Sequence, residues 1–524
     1  MVAWIFLFTA KFYLCFRGYL QLDAVWSVAL LAYLAVLEVA RLAREGRELP
    51  AFTRYLHAAV GAVFAFAVTW HDTYFPPLPT LVSFISDPVT RPSSSYLVEF
   101  IAGYWNPREA IALGAILAVS VLGARRKWHL GPPLGIALLV FLGVQFGRRP
   151  LEAGQIERDF YASERKEGNK VSFEKGREGA APFDIVFLQI CSLSWDDLNQ
   201  VGLPKPPLFE RFDFLFTRFN TVTSYSTPSA LRLLRANCGQ SRHEALYQPA
   251  PPECYLMDAL RGAGYSTATV FNHAKKLSTK MAEETARFGK ADPPMDVSDL
   301  RPEAINFDET PVFNNFEILE RWWKARLSSG APRAAVYYNT VSLHTGAHDV
   351  GDKEWWKRPN AEKYRKSLSR TLADLSRFFD LLEGSGRDVL VVLVPEHGAA
   401  LVGSSIQAAD LRDIPLPKIT MVPLGVRFFT RERRLGRAPA RIGKPVSYQS
   451  ISRLIAGALH ARNEGAREVL SVETASSLPE IPYFAENESA HTLIQGGKLL
   501  YRDSGESWKN LPSDLLVPAD SSSP

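Results

Sequence analysis

The sequence predicts two architectures in one chain. An N-terminal α-helical transmembrane region of about five spans is followed by an α/β/α domain with a mostly parallel central sheet. Three observations carry this. Long apolar segments are confined to residues 1–147 of the 524. From Phe183 onward, short apolar runs alternate with helical patterns. Three of those runs end in Cys, His or Glu-His, at the strand ends where open α/β sheets collect their chemistry. The same pattern gives the boundaries: 1–147 helical, 148–181 linker, 182–511 the α/β domain, 512–524 a disordered tail.

Apolar segments fall at 2–20, 24–43, 55–71, 108–124 and 131–147, each near the roughly 20 residues that cross a bilayer as a helix. Lys11 and Arg17 interrupt the first and are read as side chains that snorkel to an interface. A signal peptide is disfavoured there, since the charged leading region and small-residue cleavage site are missing. Positive charge sets the topology. Arg41, Arg44, Arg47 and Arg54 follow the second segment, and Arg125, Arg126 and Lys127 follow the fourth, so both loops face the cytoplasm. With the N-terminus inside and five spans, everything after residue 147 lies outside the membrane. Residues 72–107 become an external loop whose apolar patch Tyr96–Tyr104 reads as an interfacial helix. A net charge of +5 without Lys/Arg stripes argues against nucleic acid as the main partner.

Residues 148–181 are charged, poor in large apolar groups and end in Gly-Ala-Ala-Pro, the composition of a linker. Beyond them, strands are predicted at Ile185–Ile190, Thr267–Phe271, Ala334–Val341, Val389–Val394 and Leu424–Phe429, because short apolar runs bounded by polar residues suit buried strands. Helical spacing falls at Tyr255–Gly262, Phe313–Ser328, Ala361–Leu382 and Val446–His460. The Gly-Gly pair inside Thr492–Tyr501 marks a β-hairpin.

The first strand ends at Cys191, the third runs into His344-Thr-Gly, and the fourth into Pro395-Glu396-His397-Gly398. Thiolate, imidazole and carboxylate together suit Zn²⁺. The bland alternatives stand beside this: a small buried hydrophobe for Cys191, a cap or satisfied polar group for Glu396 and His397. Thr223-Ser-Tyr-Ser-Thr-Pro-Ser229 leads into a helical pattern. A hydroxyl there meets free N–H groups that welcome phosphate, or is simply an N-cap. Cys238 and Cys254 are sixteen apart. In an extracytoplasmic domain a disulfide between them is favoured, and metal binding with Cys191 is disfavoured because no short Cys-x-x-Cys spacing exists.

With these residues in view, the chain resembles the cellulose phosphoethanolamine transferases of bacterial cellulose-secretion systems, the BcsG family. The resemblance covers nearly the whole chain. It rests on Lys11-Phe-Tyr-Leu-Cys-Phe-Arg-Gly-Tyr-Leu, Ile190-Cys-Ser-Leu-Ser-Trp195, Ser224-Tyr-Ser-Thr-Pro-Ser229, Asn237-Cys-Gly239, Ser342-Leu-His344 and Pro395-Glu-His-Gly398. It implies a multi-pass bacterial inner-membrane protein whose periplasmic catalytic domain is of the alkaline phosphatase/sulfatase type. The implied reaction transfers phosphoethanolamine from phosphatidylethanolamine to the C6 hydroxyl of glucose units in nascent cellulose, beside the subunits of a cellulose synthase complex. By the same resemblance one Zn²⁺ is held by Cys191, Glu396 and His397. Ser226, on or next to the metal, is the nucleophile; Tyr225 and His344 surround the transferred group, His344 as proton carrier; Arg412 lies on the phosphate side; Cys238 and Cys254 form the family disulfide. Transferases acting on lipid A carry Glu and Thr where Cys191 and Ser226 stand, which argues against that acceptor. Two other readings remain at this stage: a structural partner of the synthase with a vestigial site, and a phosphoglycerol transferase or phosphodiesterase.

Overall fold

The computed structural model describes residues 2–17, 19–20, 50–73, 106–125, 154–173, 183–275, 277–404, 406–430, 438–460, 471–503 and 508–516, with scattered positions between 26 and 143. The chain divides into two units. One holds residues 1–83, 100–150 and 403–408, the other 84–99, 151–402 and 409–524.

In the first unit, helices α1 (Val2–Phe16), α2 (Ala51–His71) and α3 (Pro107–Arg125) lie where three of the five apolar segments were read. Among the described residues, no helix is long and apolar enough to cross a membrane. The 15 residues of α1 reach only about 22 Å at 1.5 Å per residue, and α3 opens on Arg108 and Glu109. The expected spans 24–43 and 131–147, the patch 96–104, the linker end 174–182 and the tail 517–524 fall wholly or largely outside the described residues. Lys11 and Arg17 depart from the snorkelling expectation. Lys11 is buried and its Nζ lies 2.6 Å from Asp72; Arg17 Nη2 bonds Glu109 at 2.8 Å, and Tyr13 donates to the same carboxylate at 2.7 Å. A partner carboxylate satisfies a charge better than an apolar neighbour does, and each cation found one.

The second unit is built on seven strands: β1 (Asp184–Ile190), β2 (Phe214–Asn220), β3 (Ser266–Phe271), β4 (Ala334–Thr340), β5 (Val389–Pro395), β6 (Met421–Phe429) and β7 (Ala440–Ile442), in the order β7-β2-β6-β5-β1-β4-β3. Ladders β1–β4, β1–β5, β3–β4 and β2–β7 are parallel, whereas β6 runs antiparallel to both β2 and β5. The sheet is therefore mixed, with parallel pairing at its centre. Both faces are covered, as a parallel core requires. Ile185 and Phe187 pack with Leu233, Leu256, Met257 and Ile455 on one side. Val186, Leu188 and Ile190 pack with Ile318, Trp323, Leu368 and Phe378 on the other. The alternation along β1 is the period-2 rule of a strand buried on both faces. Strand β2 was not anticipated, because Thr217 and Arg218 break its apolar run.

Residues 154–168, part of the expected linker, form helix α4 (Gly154–Gly168). Its Phe160 and Tyr161 are buried against Phe484, Leu493 and Leu500. Those three belong to a four-stranded antiparallel sheet, β8 (Phe484–Glu486), β9 (Ala490–Gln495), β10 (Lys498–Asp503) and β11 (Lys509–Asn510). The charged residues of α4 hid two aromatics from a composition-based reading. The turn between β9 and β10 is the Gly496-Gly497 pair, both at positive φ (55° and 72°), as a two-residue hairpin demands.

Helix α4 also buries a carboxyl. Gln240 N–H donates to Glu164 Oε2 at 3.0 Å, and Ser447 Oγ lies 2.6 Å from Oε1. Burial pushes Glu164 up to about 7 from an ordinary value of 4.5. The folded chain thus holds this proton more tightly than the unfolded chain. The resulting stability is complete below about 4.5 and is lost as pH rises through about 7. Glu164→Gln copies the protonated form. Wild type is expected to lose roughly 2 kcal/mol more stability than the variant between pH 5 and 7.5, read as a larger fall in Tm.

Candidate metal and nucleophile site

Pairing places the first two groups. Ile190 pairs with Pro395 across β1–β5 and with Thr340 across β1–β4, so Cys191 and Glu396 stand side by side one step past the strands. Backbone bonds continue the ladder there: Cys191 N to Thr340 O at 2.9 Å and Glu396 N to Ile190 O at 2.9 Å. The chain then turns at Ser192, whose φ of 63° is uncommon for a residue with a side chain. Tyr364 Oη holds that turn by donating to Ser192 O at 2.7 Å. Gly398 has its own reason: a Cβ there would lie 2.6 Å from Ser194 Oγ and 2.9 Å from Asp197 Oδ2. Only glycine lets His397 approach the β1 turn so closely.

The third group arrives on helix α5 (Ser226–Leu234). Ser226 is its first residue, and Tyr225 at the N-cap makes no side-chain cap. Ser226 Oγ turns instead into the site, 3.4 Å from Cys191 Sγ and 3.3 Å from His397 Nε2. Cys191 Sγ lies 3.9 Å from His397 Nε2, and His397 Nε2 lies 3.8 Å from Glu396 Oε2. Cys191, Glu396 and His397 are fully buried, whereas Ser226 is partly exposed. Three potential ligand side chains thus lie behind a partly exposed hydroxyl.

The protonation pattern leaves donor atoms free. His397 Nδ1 lies 2.8 Å from Gly398 O, so the proton sits on Nδ1 and the Nε2 lone pair faces inward. Asn339 Nδ2 donates to Glu396 Oε1 at 2.6 Å, while Oε2 is buried without a hydrogen-bond partner. Burial, reinforced by Glu396, pushes the Cys191 thiol up to about 12. Burial also raises Glu396 and holds His397 far below its usual range. Three potential ligand atoms within 4.8 Å of one another, one of them an orphaned carboxylate oxygen, are what a bound cation satisfies. The residues fit zinc.

The remaining expected residues lie around this cluster without joining it. Tyr225 Oη donates to Asp413 Oδ1 at 2.5 Å. Arg412 Nη1 reaches Ala399 O at 3.5 Å, and its Nε is buried without a hydrogen bond. The Arg412 charge is close enough to lower both His344 and His397, after burial itself. His344 stacks on Phe307 with ring centres 4.6 Å apart, and its Nδ1 faces Thr345 O at 2.9 Å. Burial brings it down to about 3. Among the described residues it makes no hydrogen bond to Ser226. Cys238 and Cys254 are joined by a disulfide. Gly239, at φ 77°, follows it where a Cβ would lie 2.3 Å from Glu164 O, so α4 lies directly against this turn. Removing the disulfide with Cys238→Ser/Cys254→Ser is expected to cost about 3 kcal/mol, seen as a lower Tm under non-reducing conditions.

Residues 149–508 match the family of the cellulose biosynthesis protein BcsG C-terminal domain, and residues 4–126 match the BcsG N-terminal domain. The cellulose biosynthesis protein BcsG of Salmonella typhimurium is 32% identical over 97% of this chain and 96% of its own length. The chain belongs to the BcsG family. The BcsG of Escherichia coli K12 is 31% identical over the same shares. Among solved structures, a protein in the alkaline phosphatase superfamily from Vibrio parahaemolyticus aligns with TM-score 0.46 and 16% identity, over 68% of this chain and 87% of that one.

Sequence reasoning on this BcsG chain missed Asn339, Gln189 and Asn487. The first two had a signal: each is a polar residue inside an apolar strand, buried at 0% exposure, where a polar group needs a partner. Asn487 had none, since it sits in a turn. It bonds Thr223 Oγ1, Ser224 and the carbonyls of Arg412 and Asp413, tying the loop before Ser226 to the Arg412 loop.

Proposed function

We propose that the chain is a zinc-dependent phosphoethanolamine transferase that moves the group from phosphatidylethanolamine to the C6 hydroxyl of glucose units in nascent cellulose, through a covalent phosphoethanolamine-serine. The observation that carries this reading is the position of Ser226 Oγ, at the open N-terminus of α5 and within 3.4 Å of Cys191 and His397. A serine so placed has a ready site for phosphate and no capping duty. Membership in a cellulose biosynthesis family supports the acceptor.

Cys191, Glu396 and His397 would hold the zinc, with Ser226 Oγ beside it. Bound there, it supplies positive charge that favours the deprotonated hydroxyl and the phosphoryl oxygens. The chain does the rest. Free N–H groups of α5 and the under-bonded Arg412 guanidinium receive the phosphate oxygens. Ser226 Oγ attacks phosphorus and diacylglycerol leaves. In the second half, a glucose hydroxyl attacks the phosphoserine. His344 carries its own proton on Nδ1, which leaves Nε2 to take the proton of that hydroxyl. In the first half the same group returns a proton to the diacylglycerol oxygen; the anionic lipid phosphate offsets the burial and Arg412 charge that otherwise hold it unprotonated. The N-terminal region, read as five spans of the inner membrane, would keep a periplasmic site near the donor head group and beside the cellulose synthase complex.

The test is product analysis of the full chain in vesicles containing phosphatidylethanolamine, with a cello-oligosaccharide as acceptor. Diacylglycerol release, a phosphoethanolamine mass on the Ser226 peptide and a modified oligosaccharide are expected. Diacylglycerol release with an unmodified oligosaccharide would retain the donor half and reject the acceptor; no release at all would reject the transferase.

A further inference from the structure

A buried polar chain runs behind the metal site. Glu396 Oε1 accepts from Asn339 Nδ2 at 2.6 Å; Asn339 Oδ1 lies 3.0 Å from His273 Nε2; His273 Nδ1 lies 2.5 Å from Ser278 Oγ. All four side chains are buried. The hydrogen positions follow from chemistry. A metal-binding carboxylate is acceptor-only, so the Asn339 amide must present its NH₂ to Glu396. Its carbonyl oxygen then faces His273, which fixes the proton on Nε2. His273 Nδ1 is thereby an acceptor, and Ser278 must donate to it. One anion at the end of the chain sets every direction in it.

We infer that Asn339, itself held by His273, is a positioning residue that fixes the Glu396 carboxylate with Oε1 engaged and Oε2 presented to the metal. The inference rests on the zinc reading above. The geometry separates the two oxygens: Oε1 accepts a hydrogen bond at 2.6 Å, whereas Oε2 makes none and has His397 Nε2 3.8 Å away. Without the amide, the carboxylate can rotate about its last bond and would lose the oriented lone pair. The amide reaches further. Asn339 Nδ2 also lies 3.3 Å from Gln189 Oε1 and 3.3 Å from Tyr337 Oη, and Gln189 Nε2 donates to Ser229 Oγ at 3.3 Å. Ser229 is one helical turn below Ser226 on α5. The same amide therefore touches both the proposed ligand Glu396 and the network that reaches the helix of Ser226. His273 stacks on Phe271 with centroids 4.9 Å apart, which holds the imidazole plane in place. Groups that orient metal ligands in this way are typically worth about 10- to 100-fold in metal affinity.

The test measures zinc affinity of the full chain by chelator competition, for wild type, Asn339→Ala and His273→Phe. Wild type is expected to bind one zinc, Asn339→Ala to bind it about 10- to 100-fold more weakly, and His273→Phe to fall between. In cobalt-loaded chains the thiolate-to-metal absorption band is expected to move in Asn339→Ala, a change that a merely structural role would not produce. His273→Phe keeps the test open if Asn339→Ala does not fold, because it leaves the amide in place and removes only its anchor. Equal affinity and an unchanged band in the folded variants would overturn the inference alone. A wild-type chain that binds no zinc would overturn the metal reading and the inference with it.

Discussion

Ser226→Ala is expected to lower the rate of transfer by at least about 10³-fold, since a nucleophile acts as one unit with its surroundings and has no substitute. The same variant should keep its zinc, because three protein ligands suffice at a catalytic zinc site and Cys191, Glu396 and His397 do not depend on Ser226 for their placement. Their positions come from the ends of β1 and β5, whereas Ser226 comes from α5. Activity and metal content are thus expected to separate, as read by diacylglycerol release and metal analysis on one preparation. A normal rate in Ser226→Ala would remove the covalent step from the mechanism. A lost zinc would instead make the serine an obligatory ligand.

The separate origins of those groups also explain how much of the site was legible in the sequence. Cys191 and Glu396-His397 each close a short apolar run, and short apolar runs in alternation with helices are a strong local signal. Parallel pairing then brings the two strand ends together at the level of Ile190 and Pro395. The stretch that holds Ser226 was legible for a different reason, since a hydroxyl-rich run followed by Pro228 announces a helix start, while Ser226 itself was singled out by the family resemblance. The supports were less legible. Asn339 and Gln189 stood out only as polar intrusions in apolar strands, and their meaning depends on which strands become neighbours. Asn487 reaches the loop before Ser226 from the turn between β8 and β9, more than 250 residues along the chain. Helix α4 was hidden because seven of its 15 residues are charged, and the aromatic pair that anchors it packs with residues far along the chain, Phe484, Leu493 and Leu500 among them. Local pattern specifies an element, but a contact between distant elements leaves little trace in either one.

Cys191 carries the second large effect, and it separates the two readings that the sequence left open. Its side chain packs with Ala304, Val312 and Val341. If it served only as a small buried hydrophobe, Cys191→Ala would cost about 1 kcal/mol of stability for the lost packing and leave metal content untouched. As a ligand, its loss should be far larger in one readout and small in the other. Zinc retained after gel filtration is expected to fall to near zero, and transfer to drop by at least about 10²-fold, with Tm of the metal-free chain changed by only a few degrees. Its surroundings give the physical reason for expecting the second pattern. Burial and Glu396 hold the metal-free thiol at about 12, so an isolated cysteine here would be inert. The chain nevertheless seats it beside an inward-facing imidazole lone pair and an unpartnered carboxylate oxygen. A hydrophobe would be better served by apolar neighbours on all sides. Placing a thiol against two further donor atoms costs desolvation that a bound cation would offset. Cys191→Ser is expected to fall between wild type and alanine, because the hydroxyl keeps the shape and a weak donor but not the thiolate.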